Sequence, residues 1–98
     1  MKKSGRCNIS FEEAKLMLLA DNSILLVDVK SKDEYNKGHI SRSINIPLSD
    51  LKIMIPRIVK NKNQKIILYC SSGIRSLAGC EILRNMGYYN VYNIIGEK

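Results

Sequence analysis

Apolar residues are spaced in two ways along this chain, and the two alternate. Residues 24–29 and 66–69 are short, nearly unbroken runs of Ile, Leu, Val and Tyr, the pattern of strands buried on both faces. Around them apolar residues recur at helical intervals: Phe11, Ala14, Leu18 and Leu19, flanked by Leu16 and Met17, then Gly79, Cys80, Leu83 and Met86. Cys7, Asn8 and Ile9 suit a short first strand, and residues 90–95 a last one. Residues 40–46 read as extended, with Ile44 and Ile46 alternating. Strands that alternate with helices predict one α/β domain over residues 1–98, a mostly parallel sheet with helices on both faces.

Punctuating residues set the boundaries. Ser10 with Glu13, and Ser31 with Glu34, fit capping boxes that open two helices. Asp21 and Asn22 end the first as a turn, and Gly38 stops the second. Pro47 closes the extended segment, and Ser49 is placed to cap a helix over residues 50–60. Pro56 falls in the middle of that helix and predicts a kink or a split. Residues 61–64 form a polar turn, and Gly87 suits the C′ position of the last helix. Residues 1–6 are a polar start expected to fray.

The junction after residue 69 draws chemistry to it. Cys70 ends a strand; Ser71, Ser72 and Gly73 continue that strand poorly; helical spacing starts near Ser76. In open parallel sheets ligands bind beyond the carboxyl ends of the strands. A loop feeding a helix N-terminus offers free N–H groups and a positive dipole end, which push a thiol toward thiolate. A free cysteine is often just a small buried hydrophobe, but the polar, glycine-bearing loop favours a nucleophile here. Gly73 permits a positive φ or a close backbone approach, so residues 71–76 can aim N–H groups inward as an anion nest. Arg75 is a cation at the rim suited to the oxygen face of an anion, against the plainer reading of a solvated arginine. Ser72 and Ser76 either donate hydroxyls or cap the helix. Asp28 and His39 invite a Cys-His-Asp triad, but a carboxylate at a strand end and a lone histidine are more often structural, so both are supporting candidates only.

Composition narrows the field. Three cysteines without a Cys-x-x-Cys pair, and one histidine, argue against a disulfide framework or a zinc site, so no metal or cofactor is expected. Cys80 reads as core packing rather than a resolving thiol, and Cys7 as exposed and incidental. The net charge of +7 comes from scattered lysines, without an Arg-rich helix or interleaved aromatics. That is a solvated surface, not a nucleic-acid footprint, although a positive field speeds the arrival of small anions. No apolar run approaches the roughly 18 residues of a membrane span, and no apolar stretch follows Lys2 and Lys3 as in a signal peptide. A cytoplasmic protein without membrane contact is expected.

The loop Cys70-Ser71-Ser72-Gly73-Ile74-Arg75-Ser76 resembles the active-site loop of single-domain rhodanese-like sulfurtransferases. Leu26-Val27-Asp28-Val29-Lys30, Asp33-Glu34-Tyr35, Gly38-His39-Ile40, Ser43-Ile44-Asn45-Ile46-Pro47 and Gly87-Tyr88-Tyr89-Asn90-Val91-Tyr92-Asn93 resemble the same family in the same order, from residue 9 to 96. The resemblance implies five strands in the order 1-5-4-2-3, with the Cys70 strand in the middle. It implies that Cys70 attacks the sulfane sulfur of a donor such as thiosulfate, with Ser71, Ser72, Gly73, Ile74, Arg75 and Ser76 binding the substrate. The resulting persulfide passes its sulfur to a thiol or cyanide acceptor, and a sulfur-handling protein partner is admitted. No histidine base is required if loop dipoles already hold the thiolate.

Two departures and two rival readings accompany it. Lys30 stands where the family more often shows arginine, forfeiting a bidentate contact. The sequence ends at Gly96-Glu97-Lys98, where many relatives run on to a tryptophan-bearing helix, so that helix is expected to be shortened or absent, with one sheet face thinly covered. One rival is a cysteine-dependent phosphatase or arsenate reductase on the related fold. Those resemble Cys-x5-Arg, whereas four residues separate Cys70 from Arg75 here, and the shorter loop suits one sulfur atom better than a phosphate. The other rival, a non-turnover persulfide carrier or regulatory module, is compatible with an intact Cys70.

Overall fold

The computed structural model describes residues 7–96; the expectations about residues 1–6, and about Glu97 and Lys98, lie outside them. Five strands, β1 (Asn8–Ser10), β2 (Leu25–Asp28), β3 (Ile44–Asn45), β4 (Ile66–Tyr69) and β5 (Val91–Ile95), alternate with four α-helices. The helices are α1 (Phe11–Ala20), α2 (Lys32–Lys37), α3 (Leu51–Ile58) and α4 (Ile74–Asn85). All strand pairs are parallel, in the order β1-β5-β4-β2-β3.

The central strand β4 is buried along its whole length, as its unbroken apolar run requires. Its side chains divide by alternation. Ile67 and Tyr69 join Ile9, Ala14, Ile24, Leu26 and Ile94 under α1. Ile66, Leu68 and Cys70 join Leu51 and Ile55 of α3 and Cys80 and Leu83 of α4 on the other face. Gly79 lets α4 lie close: a Cβ there would stand 2.9 Å from Leu68 Cδ1 and 3.0 Å from Leu51 Cδ2. Both capping boxes form, with Ser10 Oγ accepting from Glu13 N at 3.0 Å and Ser31 Oγ from Glu34 N at 3.2 Å. Gly87, at φ 98°, ends α4 with Tyr88 N–H donating to Leu83 O and Gly87 N–H to Arg84 O, both at 3.0 Å.

Four expectations are corrected. Ser49 caps nothing: it lies inside a 3₁₀ turn, Leu48–Asp50, in which Asp50 N–H donates to Pro47 O at 2.8 Å and leads straight into α3. Pro56 neither splits α3 nor stands mid-helix; the helix is shorter than expected and ends two residues later, so the missing N–H falls in its last turn. The extended stretch shrinks to β3, because Ser43 N–H turns back to Ile40 O at 3.1 Å and Arg42 takes φ 78°. Cys7 is not an exposed bystander: it is half-buried, packed on the α3–α4 core and in electrostatic interaction with Cys80.

Arg42 accounts for its own left-handed backbone. Its guanidinium donates to Leu18 O (3.3 Å), Asn22 O (3.1 Å) and Ile24 O (3.0 Å). It thereby serves the C-terminal end of α1, which has no basic residue in its last turn. Replacing Arg42 with Ala is expected to cost about 1–2 kcal/mol through these bonds. Arg42→Gly should cost about 1 kcal/mol less than Ala, because glycine adopts φ 78° freely. Urea unfolding of both variants checks this; equal losses would mean that the positive φ stores no strain.

Candidate functional site

Cys70 immediately follows β4, at the carboxyl end of the central strand, and only 1% of it is exposed. Ser71 and Ser72 lead to Gly73, whose left-handed φ of 89° turns the chain into α4. A Cβ on Gly73 would meet nothing closer than 3.8 Å, so the dihedral rather than crowding demands glycine. The turn wraps the loop around the sulfur. Gly73 N–H donates to Cys70 Sγ at 3.1 Å and Ser76 N–H at 3.4 Å, and the Ser76 hydroxyl lies 3.3 Å away. Burial raises the Cys70 thiol, but the Ser76 hydroxyl and the N–H groups of Ser76, Gly73 and Ser72 outweigh it, and the thiol is held below its ordinary range.

The two serines left open by the sequence take different roles. Ser76 is fully buried against the sulfur. Ser72 Oγ accepts from Ile74 N–H at 3.3 Å and shapes the turn. Ser71 is exposed and lines the cleft beside Cys70, while Ile74, 75% exposed, projects outward.

Arg75 is held in a fork. Its two terminal nitrogens meet Glu34 Oε1 at 2.8 Å and Oε2 at 3.0 Å. This pairing, with the Ser31 N–H, pulls the Glu34 carboxyl down to about 2. The fork ties α2 to the first turn of α4, and Arg75 does not belong to the lining of the cleft.

That cleft, about 650 Å³, opens beside Cys70 and Ser71 between Phe11, Lys30, His39, Ile40 and Tyr69. Its walls are braced by hydrogen bonds. Tyr69 Oη accepts from Ile40 N–H at 2.8 Å and lies 2.9 Å from Ser43 Oγ, and burial leads the Tyr69 hydroxyl up to about 12. His39 stacks on Tyr35 with ring centroids 3.7 Å apart, and its Nδ1–H donates to Tyr35 O at 2.7 Å. Asp28 is fully buried; Oδ1 accepts from Lys30 N–H at 2.8 Å and Oδ2 stands 3.4 Å from Lys30 Nζ. The geometry therefore pairs His39 with Tyr35 and Asp28 with Lys30, not the two with each other. Among the described residues no cluster of three His, Cys, Asp or Glu could hold a metal ion.

Two contributors were not foreseen. Asn93, buried in β5, donates from Nδ2 to Gly73 O at 3.2 Å and to Asn8 Oδ1 at 3.1 Å, so the last strand anchors the loop. Its signal was an amide inside an otherwise apolar strand, a group that must find partners. Cys7 is the other: Cys80's sulfur lowers the Cys7 thiol, while Cys7 and burial hold the Cys80 thiol up.

Comparison with known proteins agrees with this geometry. The Rhodanese-like domain profile matches residues 10–97. Thiosulfate sulfurtransferase PspE of Escherichia coli (strain K12) is 39% identical over 72 residues, covering 74% of this chain and 69% of that protein. A tRNA uridine(34) hydroxylase of Sodalis glossinidius (strain morsitans) is 34% identical over 83 residues, 81% of this chain but only 24% of that protein. The human single-domain sulfurtransferase TSTD1 superposes with a TM-score of 0.81 at 27% identity, covering 96% of this chain and 93% of that one. The sheet order, the cysteine beyond its central strand and a match over nearly the whole chain converge on one conclusion: the protein belongs to the rhodanese-like domain family.

Proposed function

We propose that this protein is a sulfurtransferase that carries a sulfane sulfur on Cys70. The observation that carries the reading is the Cys70 sulfur itself, ringed by the N–H groups of Gly73 and Ser76 and the Ser76 hydroxyl at the edge of an open cleft. The Cys70 thiolate attacks the outer sulfur of thiosulfate; the S–S bond of the donor breaks with its electron pair, and sulfite leaves. Cys70 is then a persulfide anion. A thiolate or cyanide attacks its outer sulfur, the new persulfide or thiocyanate departs, and the Cys70 thiolate returns. No proton need move at either step, which fits a site whose histidine is engaged by Tyr35. The N–H groups that steady the thiolate are placed to steady the persulfide as well. Three free thiols suit the reducing cytoplasm. The hydroxylase activity named for the longer relative belongs to a protein of which this chain spans 24%, and the reading stops at sulfur handling.

Incubation with thiosulfate followed by intact-mass measurement should show a gain of one sulfur atom, removed by cyanide. Cys70→Ser should abolish the gain, whereas Cys7→Ser and Cys80→Ala should retain it. Absence of uptake, together with Cys70-dependent hydrolysis of p-nitrophenyl phosphate, would overturn the reading in favour of phosphoryl chemistry.

The thiol's ionisation gives a second test. A lowered Cys70 pKa places thiolate at lower pH, so alkylation by iodoacetamide in a Cys7→Ser background should reach half its limiting rate below the ordinary thiol midpoint of about 8.5. Ser76→Ala removes the hydroxyl and should move that midpoint up. A midpoint unchanged by Ser76→Ala would show that the hydroxyl does not support the thiolate.

A further inference from the structure

Among the described residues, the cleft beside Cys70 has a single lysine or arginine in its lining, Lys30. Arg75, the cation nearest Cys70 in sequence, is neutralised by its fork on Glu34 and lies outside that lining. Lys30 is held differently. Its Nζ donates to Gly38 O at 3.2 Å, stands 3.4 Å from Asp28 Oδ2 and lies 5.7 Å from the centroid of the Tyr69 ring, with 13% of the side chain exposed. Asp28 is fully buried, and its Oδ2 has no hydrogen-bond partner, so this carboxylate acts as a fixed foot under the ammonium. An ammonium carries three N–H donors; Gly38 O takes one, Asp28 stands beside the group as its counter-charge, and donors are left for an occupant of the cleft. A compact point charge also reaches an anion that has no planar face, where a guanidinium fork has no geometric advantage.

We propose that Lys30 receives the anionic end of the sulfur donor in the Cys70 cleft. Thiosulfate presents its sulfane sulfur to Cys70 and its sulfonate to Lys30, and the same ammonium steadies the sulfite dianion as it leaves. The charge also favours thiolate over thiol among acceptors. This proposal rests on the sulfur-transfer reading, but the electrostatic preference it assigns to the cleft can be measured without sulfur transfer.

The measurement is the rate of Cys70 alkylation by iodoacetate divided by that by iodoacetamide, read by peptide mapping at constant pH. The two reagents differ chiefly in charge, so a change in thiol pKa or access moves both rates, whereas a lost cation lowers the ratio alone. Lys30→Met should lower the ratio by about three- to tenfold, the effect of one partly buried charge lining the same cleft as the sulfur. Because Lys30→Met leaves Asp28 buried and unpaired, the double variant Lys30→Met with Asp28→Asn provides a neutral pair; it should show a smaller loss in the same direction, since the Asp28 charge goes with that of Lys30, and Lys30→Arg should restore most of the ratio. The thiosulfate kcat/KM should fall by a similar factor. An unchanged ratio in either folded Met variant, or a ratio that falls only when Arg75 and Glu34 are neutralised together, would overturn the proposal. Failure of the wild-type protein to take up sulfur would instead remove the sulfur-transfer reading, while the alkylation ratio still decides whether Lys30 makes the cleft selective for anions.

Discussion

Keeping an ionisable sulfur almost out of water is the constraint on which the rest of the structure depends. Burial alone favours the neutral thiol, which is a poor nucleophile. The offset comes first from the Ser76 hydroxyl and then from donors that belong to the backbone and so cannot rotate away, the N–H groups of Ser76 and Gly73. They reach the sulfur only because Gly73 takes a left-handed turn between strand and helix. The turn is held by Asn93 from the neighbouring strand, and α4 can seat closely enough only with Gly79 against Leu68 and Leu51. Residues distributed from β5 to the middle of α4 thus serve one sulfur atom.

The alternation of β4 gives the two faces of the sheet different tasks. One face seats α1 on Ile67 and Tyr69, and Tyr69 extends its hydroxyl to brace residues 40 and 43 at the cleft wall. The other packs Leu68 and Cys70 with α3 and α4, so the Cys70 sulfur stands at the edge of a close-packed core.

What the sequence made legible was what short-range chemistry determines. The two capping boxes, the buried run of β4, the glycine ending α4 and the small-residue loop after Cys70 all act over a few residues, and each stands where it was expected. The order of the strands came from resemblance, because nothing in local pattern says which strands are neighbours. The parts that stayed hidden are contacts between distant positions: Arg42 reaching the carbonyls at the end of α1, Asn93 holding Gly73, Cys7 meeting Cys80. Pro56 lies near the end of α3, whose length depends on tertiary packing rather than on local pattern. Glu34 illustrates both cases: its capping role is written three residues away, whereas its pairing with Arg75 spans forty-one.

The double employment of Glu34 has a bearing on how the site tolerates its own chemistry. Its carboxyl accepts from the start of α2 and from the guanidinium at the start of α4, and it stays ionised down to about pH 2. A group depressed so far contributes its full support above the ordinary carboxylate range and gives it up only as the solution approaches that low value. The cradle of Cys70 is therefore moored by a connection that is indifferent to proton supply across the whole interval in which the sulfur itself gains and loses charge. Mechanical support and ionisation are uncoupled in this loop: the Cys70 sulfur can change its charge while the scaffold that holds it stays electrically unchanged.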